Sequence, residues 1–270
     1  MGIKTALGLL IVLSGLASTA AGAWGWGSQC KFQAERSGEI GVEDATTVEI
    51  FALAGELRVT GRADTSTVTV SAEACVSRED MLPATDVTVS RNGDRIMILA
   101  EMPDISGETN NKWRDELAML DLDIELPEHL AVIVHDSSGD LLVRGVASAE
   151  VSDSSGDIEL DNIAGPVLIP RDSSGDILMT RVGEVVIQVD SSGEIRIEQS
   201  GSVTIANDTS GDITLEDVDG DVMVGNDSSG RISVRNIKGS FLVENDTSGG
   251  IRYSNVSGSV SLPEDRHESD

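Results

Sequence analysis

Aromatic side chains are nearly missing from this chain. Its 270 residues contain three Trp, one Tyr and three Phe, although 39% of the residues are hydrophobic. A core must therefore be built from Val, Ile and Leu, which favours stacked strands over an aromatic-lined pocket. Positive charge is also scarce: 19 Lys+Arg stand against 47 Asp+Glu, for a net charge of -28. Such an excess repels phosphates, so nucleic acid and anionic membrane surfaces are excluded as partners. Cations, basic partners or plain solubility remain. The three histidines, His129, His135 and His267, have neither metal-ligand nor triad spacing. GxSxG elbows, P-loops and GxGxxG fingerprints are all lacking.

Long apolar runs are missing too. The longest lies near the start, where Leu9-Leu10-Ile11-Val12-Leu13 opens a stretch that ends near Ala17. That is too short for a membrane span of about 20 residues. With Lys4 before it and Ala21-Gly22-Ala23 after it, residues 1–23 read as a secretory signal cleaved before Trp24; the alternative is an uncleaved N-terminal anchor. Cys30 and Cys75 are the only cysteines. In an exported chain an even pair predicts one disulfide, the alternative being two unrelated buried thiols.

What the sequence has in abundance is repetition. Asp-(Ser/Thr)-Ser-Gly, in the forms DSSG and DTSG, occurs seven times, starting at Asp136, Asp153, Asp172, Asp190, Asp208, Asp227 and Asp246. A fixed period of about 18–19 residues signals a solenoid. Between motifs, apolar residues alternate in two short runs, as in Ile213, Leu215, Val218, then Gly220, then Val222 and Val224. Period-two alternation predicts strands with one face buried. One such coil cannot bury its apolar face alone, so the coils must stack, about 4.8 Å apart, with parallel strands in register. The expected fold is an all-β, parallel β-solenoid. Hexapeptide helices fit less well, because the apolar pattern does not repeat every six residues. Calcium-binding β-rolls also fit less well, because no GGxG occurs.

The first half reads as an irregular N-terminal β region, with strands near 48–52, 56–59, 68–72, 87–89 and 96–99 and an Asn92-Gly93 turn. Gly55-Glu56-Leu57-Arg58-Val59 echoes the later units, so early coils cap or begin the stack. The expected organisation is a linker at 24–44 and a solenoid domain at 45–262, regular over 136–262. A loop with one helical turn is expected at 103–119, and a disordered acidic tail at 263–270.

Tandem Ser-Gly-Asp-Ile units, preceded by Leu122-Asp123-Ile124-Glu125-Leu126-Pro127 and Leu130-Ala131-Val132-Ile133-Val134, resemble a bacterial adhesin-like family of exported β-strand-repeat proteins. The resemblance runs from about residue 45 to 262. It implies architecture and export, and carries no catalytic residues.

Stacking places the seven motif Asp residues in one column. A second holds Asp140, Asp157, Asp176, Glu194 and Asp212, broken by Arg231 and Gly250. Carboxylates one strand apart repel by about 1 kcal/mol in water. Backbone N–H groups, Ser and Thr hydroxyls and dissolved counterions can offset this; the competing expectation is bound calcium on Asp136, Asp153, Asp172, Asp190, Asp208, Asp227 and Asp246. No other cofactor is expected.

Outward positions of the second strand read Glu150, Leu168, Val186, Thr204, Met223, Leu242 and Ser261. Leu168, Val186, Met223 and Leu242 make this face a candidate interaction stripe, unless the N-terminal segment or the 103–119 loop covers it. Asn207, Asn226, Asn245 and Asn255 begin N-x-S/T triplets and read as turn residues. The expected function is a non-enzymatic exported scaffold, periplasmic or at the cell surface, presenting a repetitive face to a protein or glycan. The alternatives are a polysaccharide-acting β-helix enzyme and a periplasmic accessory protein of a signalling or stress operon.

Overall fold

The computed structural model describes residues 30–103, 116–263 and 268–269. The expected signal, residues 1–23, lies outside the described residues. Residues 104–115 of the expected loop, with Trp113, also lie outside them.

The chain folds as a parallel β-solenoid of about seven turns, each of roughly 19 residues. The early strands are β1 (Phe32–Gly41), β2 (Thr47–Phe51), β3 (Leu57–Arg62), β4 (Thr67–Val76), β5 (Asp86–Asn92), β6 (Arg95–Glu101) and β7 (Ala118–Pro127). The first regular coils comprise β8 (Ala131–His135), β9 (Leu141–Arg144), β10 (Ser148–Ser152), β11 (Ile158–Ile163), β12 (Val167–Arg171), β13 (Ile177–Val182) and β14 (Val185–Ile187). They continue through β15 (Ile195–Ser200), β16 (Val203–Asp208), β17 (Ile213–Val218), β18 (Val222–Asp227), β19 (Gly230–Ile237), β20 (Phe241–Asp246), β21 (Gly249–Val256) and β22 (Val260–Ser261). A short β23 (Glu268–Ser269) pairs with β21.

Odd and even strands of the coils separate into two sheets. One runs β1-β4-β7-β3-β9-β11-β13-β15-β17-β19-β21-β23, the other β22-β20-β18-β16-β14-β12-β10-β8-β2-β6-β5. Ile158, Leu160, Ile177, Met179, Ile195, Ile197, Ile213 and Leu215 from the first meet Val167, Ile169, Val185, Ile187, Val203 and Ile205 from the second, all buried. Each residue stacks on its counterpart one coil away, as in Ile177↔Ile195↔Ile213↔Ile232.

The seven motif glycines set the coil. Their φ angles lie between 123° and 145°, a region closed to residues with a Cβ. They also stack on one another: a Cβ on Gly211 would sit 1.6 Å from the carbonyl oxygen of Gly193. Gly55 belongs to the same column, because a Cβ on Gly139 would lie 1.9 Å from the Gly55 oxygen. The echo at residues 55–59 is therefore a true coil.

Four features depart from the sequence reading. Residues 32–41, within the expected linker, form β1, antiparallel to β4 over ten residue pairs; their polar outward positions hid the alternation. Second, β4 and β5 run antiparallel to β7 and β6 and close the end of the stack. Such strands turn an open sheet edge away from further pairing. Third, Ala118 and Met119 belong to β7 rather than to a loop. Fourth, Glu268–Ser269 pairs with β21, inside the tail expected to be disordered.

Cys30 and Cys75 are joined, with Cα atoms 5.5 Å apart. The bridge spans 45 residues and ties the start of β1 to β4. Closing a loop of that length contributes about 4 kcal/mol in the chain-entropy account.

Candidate functional site

The Asp-(Ser/Thr)-Ser-Gly corner is the most repeated chemical unit of the molecule. Its Asp side chains do not face water as a turn residue would. Asp136, Asp153, Asp172, Asp190, Asp208 and Asp227 are only 0 to 7% exposed, and Asp246, near the end of the stack, is half-buried. In β16 the inward residues are Val203 and Ile205, and then Asp208 three positions later. The odd spacing reverses the parity and turns Asp inward. Of the three offsets expected, dissolved counterions therefore do not reach the column.

Donors are few. Ser137, Ser154 and Ser173 donate their N–H groups to Asp136, Asp153 and Asp172 at 2.8, 2.7 and 2.7 Å. Outside the column of acids itself, the second oxygen of each of these three has no partner, nor does either oxygen of Asp190, Asp208 or Asp227. Ser hydroxyls do not help, because they donate to the carbonyl oxygen of the preceding coil, as Ser174 to Ser154 at 3.2 Å and Ser210 to Ser191 at 3.1 Å.

Burial without donors disfavours the charged form. Loss of water pushes Asp136 up to about 7, with backbone N–H bonds opposing and neighbouring Asp153 adding to the rise. Asp172 and Asp208 also rise to about 7, first from burial and then from adjacent carboxyls. Asp227 rises to about 6 for the same reasons. Asp153 and Asp190 are raised by burial as well.

The outer acids sit in water and bridge coils. Asp140, Asp157 and Asp176 are exposed, and each accepts the N–H of the next coil: Asp157 N to Asp140 at 3.1 Å, Asp176 N to Asp157 at 2.9 Å and Glu194 N to Asp176 at 2.8 Å. Arg231, where the acid run breaks, donates its N–H to Asp212 at 2.8 Å and places its guanidinium 3.4 Å from the same carboxylate. Sequence reading missed that Asp121 starts this outer column by accepting the Glu56 N–H at 2.8 Å. The Leu122↔Leu57 register was the missing signal.

Among the described residues, no group of three or more His, Cys, Asp or Glu converges on a point where a metal ion could sit. The seven motif acids stand in single file, one per coil, with no cage of six to eight oxygens of the kind calcium takes. That geometry lends the calcium expectation no support.

On the outer face of the second sheet, Glu150, Leu168, Val186, Thr204, Met223, Leu242 and Ser261 form one continuous register row. Leu168, Val186, Met223 and Leu242 are half-buried there. The strands that carry them make their main contacts with their sheet neighbours. Ile133 extends the row beyond Glu150; it occupies the same outward position of the Val132-Ile133-Val134 run, which the motif-based count did not reach. β1, one of the segments expected to cover the stripe, lies in the other sheet.

At the opposite corner runs a groove of about 590 Å³, lined by Arg181, Gln199, Asp217, Asn236, Lys238 and Asn255 among others. Ser200, in its lining, interrupts the buried column Ile163, Val182, Val218, Ile237. Its polar groups bind one another: Asn255 donates to Asn236 and Asn236 to Asp217, both at 2.8 Å, and Lys238 pairs with Asp219 at 2.7 Å. A second amide ladder joins Asn245 to Asn226 and Asn226 to Asn207, each at 3.0 Å. The N-x-S/T asparagines are thus rungs between coils.

No protein-family model and no curated protein matches the chain. Solved bacterial structures do resemble it. One is a candidate cell adhesion protein from Clostridium sporogenes, 8% identical, covering 86% of this chain and 99% of its own, with a TM-score of 0.32. Another is a candidate adhesin from Bacteroides fragilis, 12% identical, covering 87% and 99%, with a TM-score of 0.36. A third, from Parabacteroides distasonis, is named for lipid binding; it is 15% identical, covers 85% and 97%, and has a TM-score of 0.39. At such identities and scores the likeness carries no activity across to this chain.

Proposed function

We propose that this protein is a non-enzymatic, exported scaffold of the bacterial cell envelope or surface, adhesin-like in its mode of action. The outer face of its second sheet presents a flat, repeating row to a protein or glycan partner. The observation that carries this reading is the register row in which Leu168 stacks on Val186 and Met223 on Leu242. An apolar row held at strand spacing is a rigid binding surface that needs no ordering on association. An export route agrees with the signal-like start and with the Cys30–Cys75 pair. Among the described residues no helix is long and apolar enough to cross a membrane.

The test is a pull-down from envelope fractions with the wild-type chain and a Leu168→Lys/Met223→Lys variant. Unchanged melting with lost association supports the reading. Lost stability assigns the row to packing instead. A polysaccharide cleavage screen on the same protein checks the enzymatic alternative, and turnover there would overturn the scaffold assignment.

A further inference from the structure

The buried file keeps hydrogen-bonding capacity that the few backbone donors leave unfilled. Asp190 pairs in parallel register with Asp208, Asp208 with Asp227 and Asp227 with Asp246. The Asp190 carboxyl lies within side-chain hydrogen-bonding reach of the carboxyls of Asp172 and Asp208. Two carboxylates are acceptors only and cannot bond; a carboxylic acid beside a carboxylate can donate its O–H.

We propose that this buried file is a proton-sharing ladder. In the folded protein the carboxyls of Asp172, Asp190 and Asp208, extended by their neighbours Asp153 and Asp227, hold protons drawn from solvent and donate them to one another along the solenoid axis. Acid consolidates the fold, and loss of these protons loosens it.

The side chains that act on the column are all acids. Along the file they are the motif acids themselves, Asp246 acting on Asp227 and Asp153 on both Asp136 and Asp172. Across the turn they are the outer acids, Asp140 on Asp153 and Asp212 on Asp227. The buried residues flanking each turn on the two sheets, such as Ile187 and Ile195 or Ile205 and Ile213, are apolar. The N–H groups of Ser191 and Ser192 favour the charged form of Asp190 but do not reach good hydrogen-bond geometry. Every ionised neighbour in the file raises the cost of the next ionisation, so the column titrates as a unit. A proton needs only two oxygens, which is what adjacent coils supply.

Infrared spectra and thermal melting of the full chain test this. Infrared difference spectra of the folded protein between pH 5 and pH 8 are expected to show protonated carboxylic C=O groups persisting well above the ordinary Asp range near 3.9. Their absence at pH 6, where ordinary Asp and Glu are almost wholly ionised, would overturn the proposal without any variant. Thermal melting at constant ionic strength is expected to shift upward by about 10 °C from pH 8 to pH 5. Asp172→Asn/Asp190→Asn/Asp208→Asn keeps the shape and supplies N–H donors. It is expected to melt at or above wild type at pH 8 and to lose most of the pH dependence. The exposed triple variant Asp140→Asn/Asp157→Asn/Asp176→Asn removes as many charges and is expected to keep that dependence. If both variants flatten the profile equally, general charge repulsion is responsible and the ladder is refuted. If wild-type melting falls on addition of chelator at pH 8, a bound cation rather than protons fills the file.

Discussion

Two columns of acid flank five of the seven motif corners of this solenoid, four residues apart in the chain, and they have opposite fates. The outer acids, such as Asp157 and Asp176, lie in water, and each accepts a backbone N–H from the next coil. The inner acids, such as Asp172 and Asp208, lie among Ile and Val, each with at least one oxygen that no backbone or hydroxyl donor reaches. One glycine between them, Gly175 or Gly211, turns the chain through a region with φ of 128° or 139°. The same residue type is thus a connector on one side of the bend and a buried acid on the other. Side-chain identity says little about charge until the direction of the side chain is known.

The largest way to break this contrast is to remove the bend. Gly211→Ala puts a Cβ 1.6 Å from the Gly193 oxygen at a φ of 139°, and a loss of about 5 kcal/mol or more is expected in urea unfolding. Next comes pH. The folded column binds protons that the unfolded chain, with Asp near 3.9, has released. Its stabilising contribution is therefore complete below about pH 4 and disappears as pH rises through the folded values of about 6 to 7. For one carboxyl moved from 3.9 to about 7, as at Asp172, this amounts to about 4 kcal/mol. Chemical unfolding at pH 5 and pH 8 reads it directly, and equal midpoints would erase the distinction between the columns. On the outer side, Asp157→Ala removes the acceptor for the Asp176 N–H and is expected to cost about 1 kcal/mol. Smallest is Ser174→Ala, which deletes one hydroxyl bond to the Ser154 carbonyl. A loss of about 0.5–1 kcal/mol is expected in the same assay, and a larger one would mean that the hydroxyl also serves Asp172.

The regular coils were legible because stacking forces repetition. A glycine that must clear the glycine below it, and Ile213 that must sit on Ile195, leave a period that no other fold needs. The outward row through Leu168 and Met223 follows from the same alternation. The inward turn of the motif acids was not legible. Parity counted from Ile205 points Asp208 outward, and a local irregularity near Asn207 reverses it. Nor was β1, whose alternation runs through Arg36, Gly38 and Ile40 on an end strand that buries little. The antiparallel strands β4 and β5 carry the same period-two signal as parallel ones, so their direction could not be read from composition.

The spatial order of the first coils has a consequence for how the chain assembles. β2 and β3 are wedged between β6–β7 on one side and β8–β9 on the other. The earliest-made coil therefore waits, unpaired on both edges, until segments up to 84 residues downstream have emerged. Loop closure must precede any contact it makes. Once that wedge is seated, every later turn meets a finished template immediately before it, so nascent chains cut short before residue 131 should be the ones that aggregate or recruit chaperones.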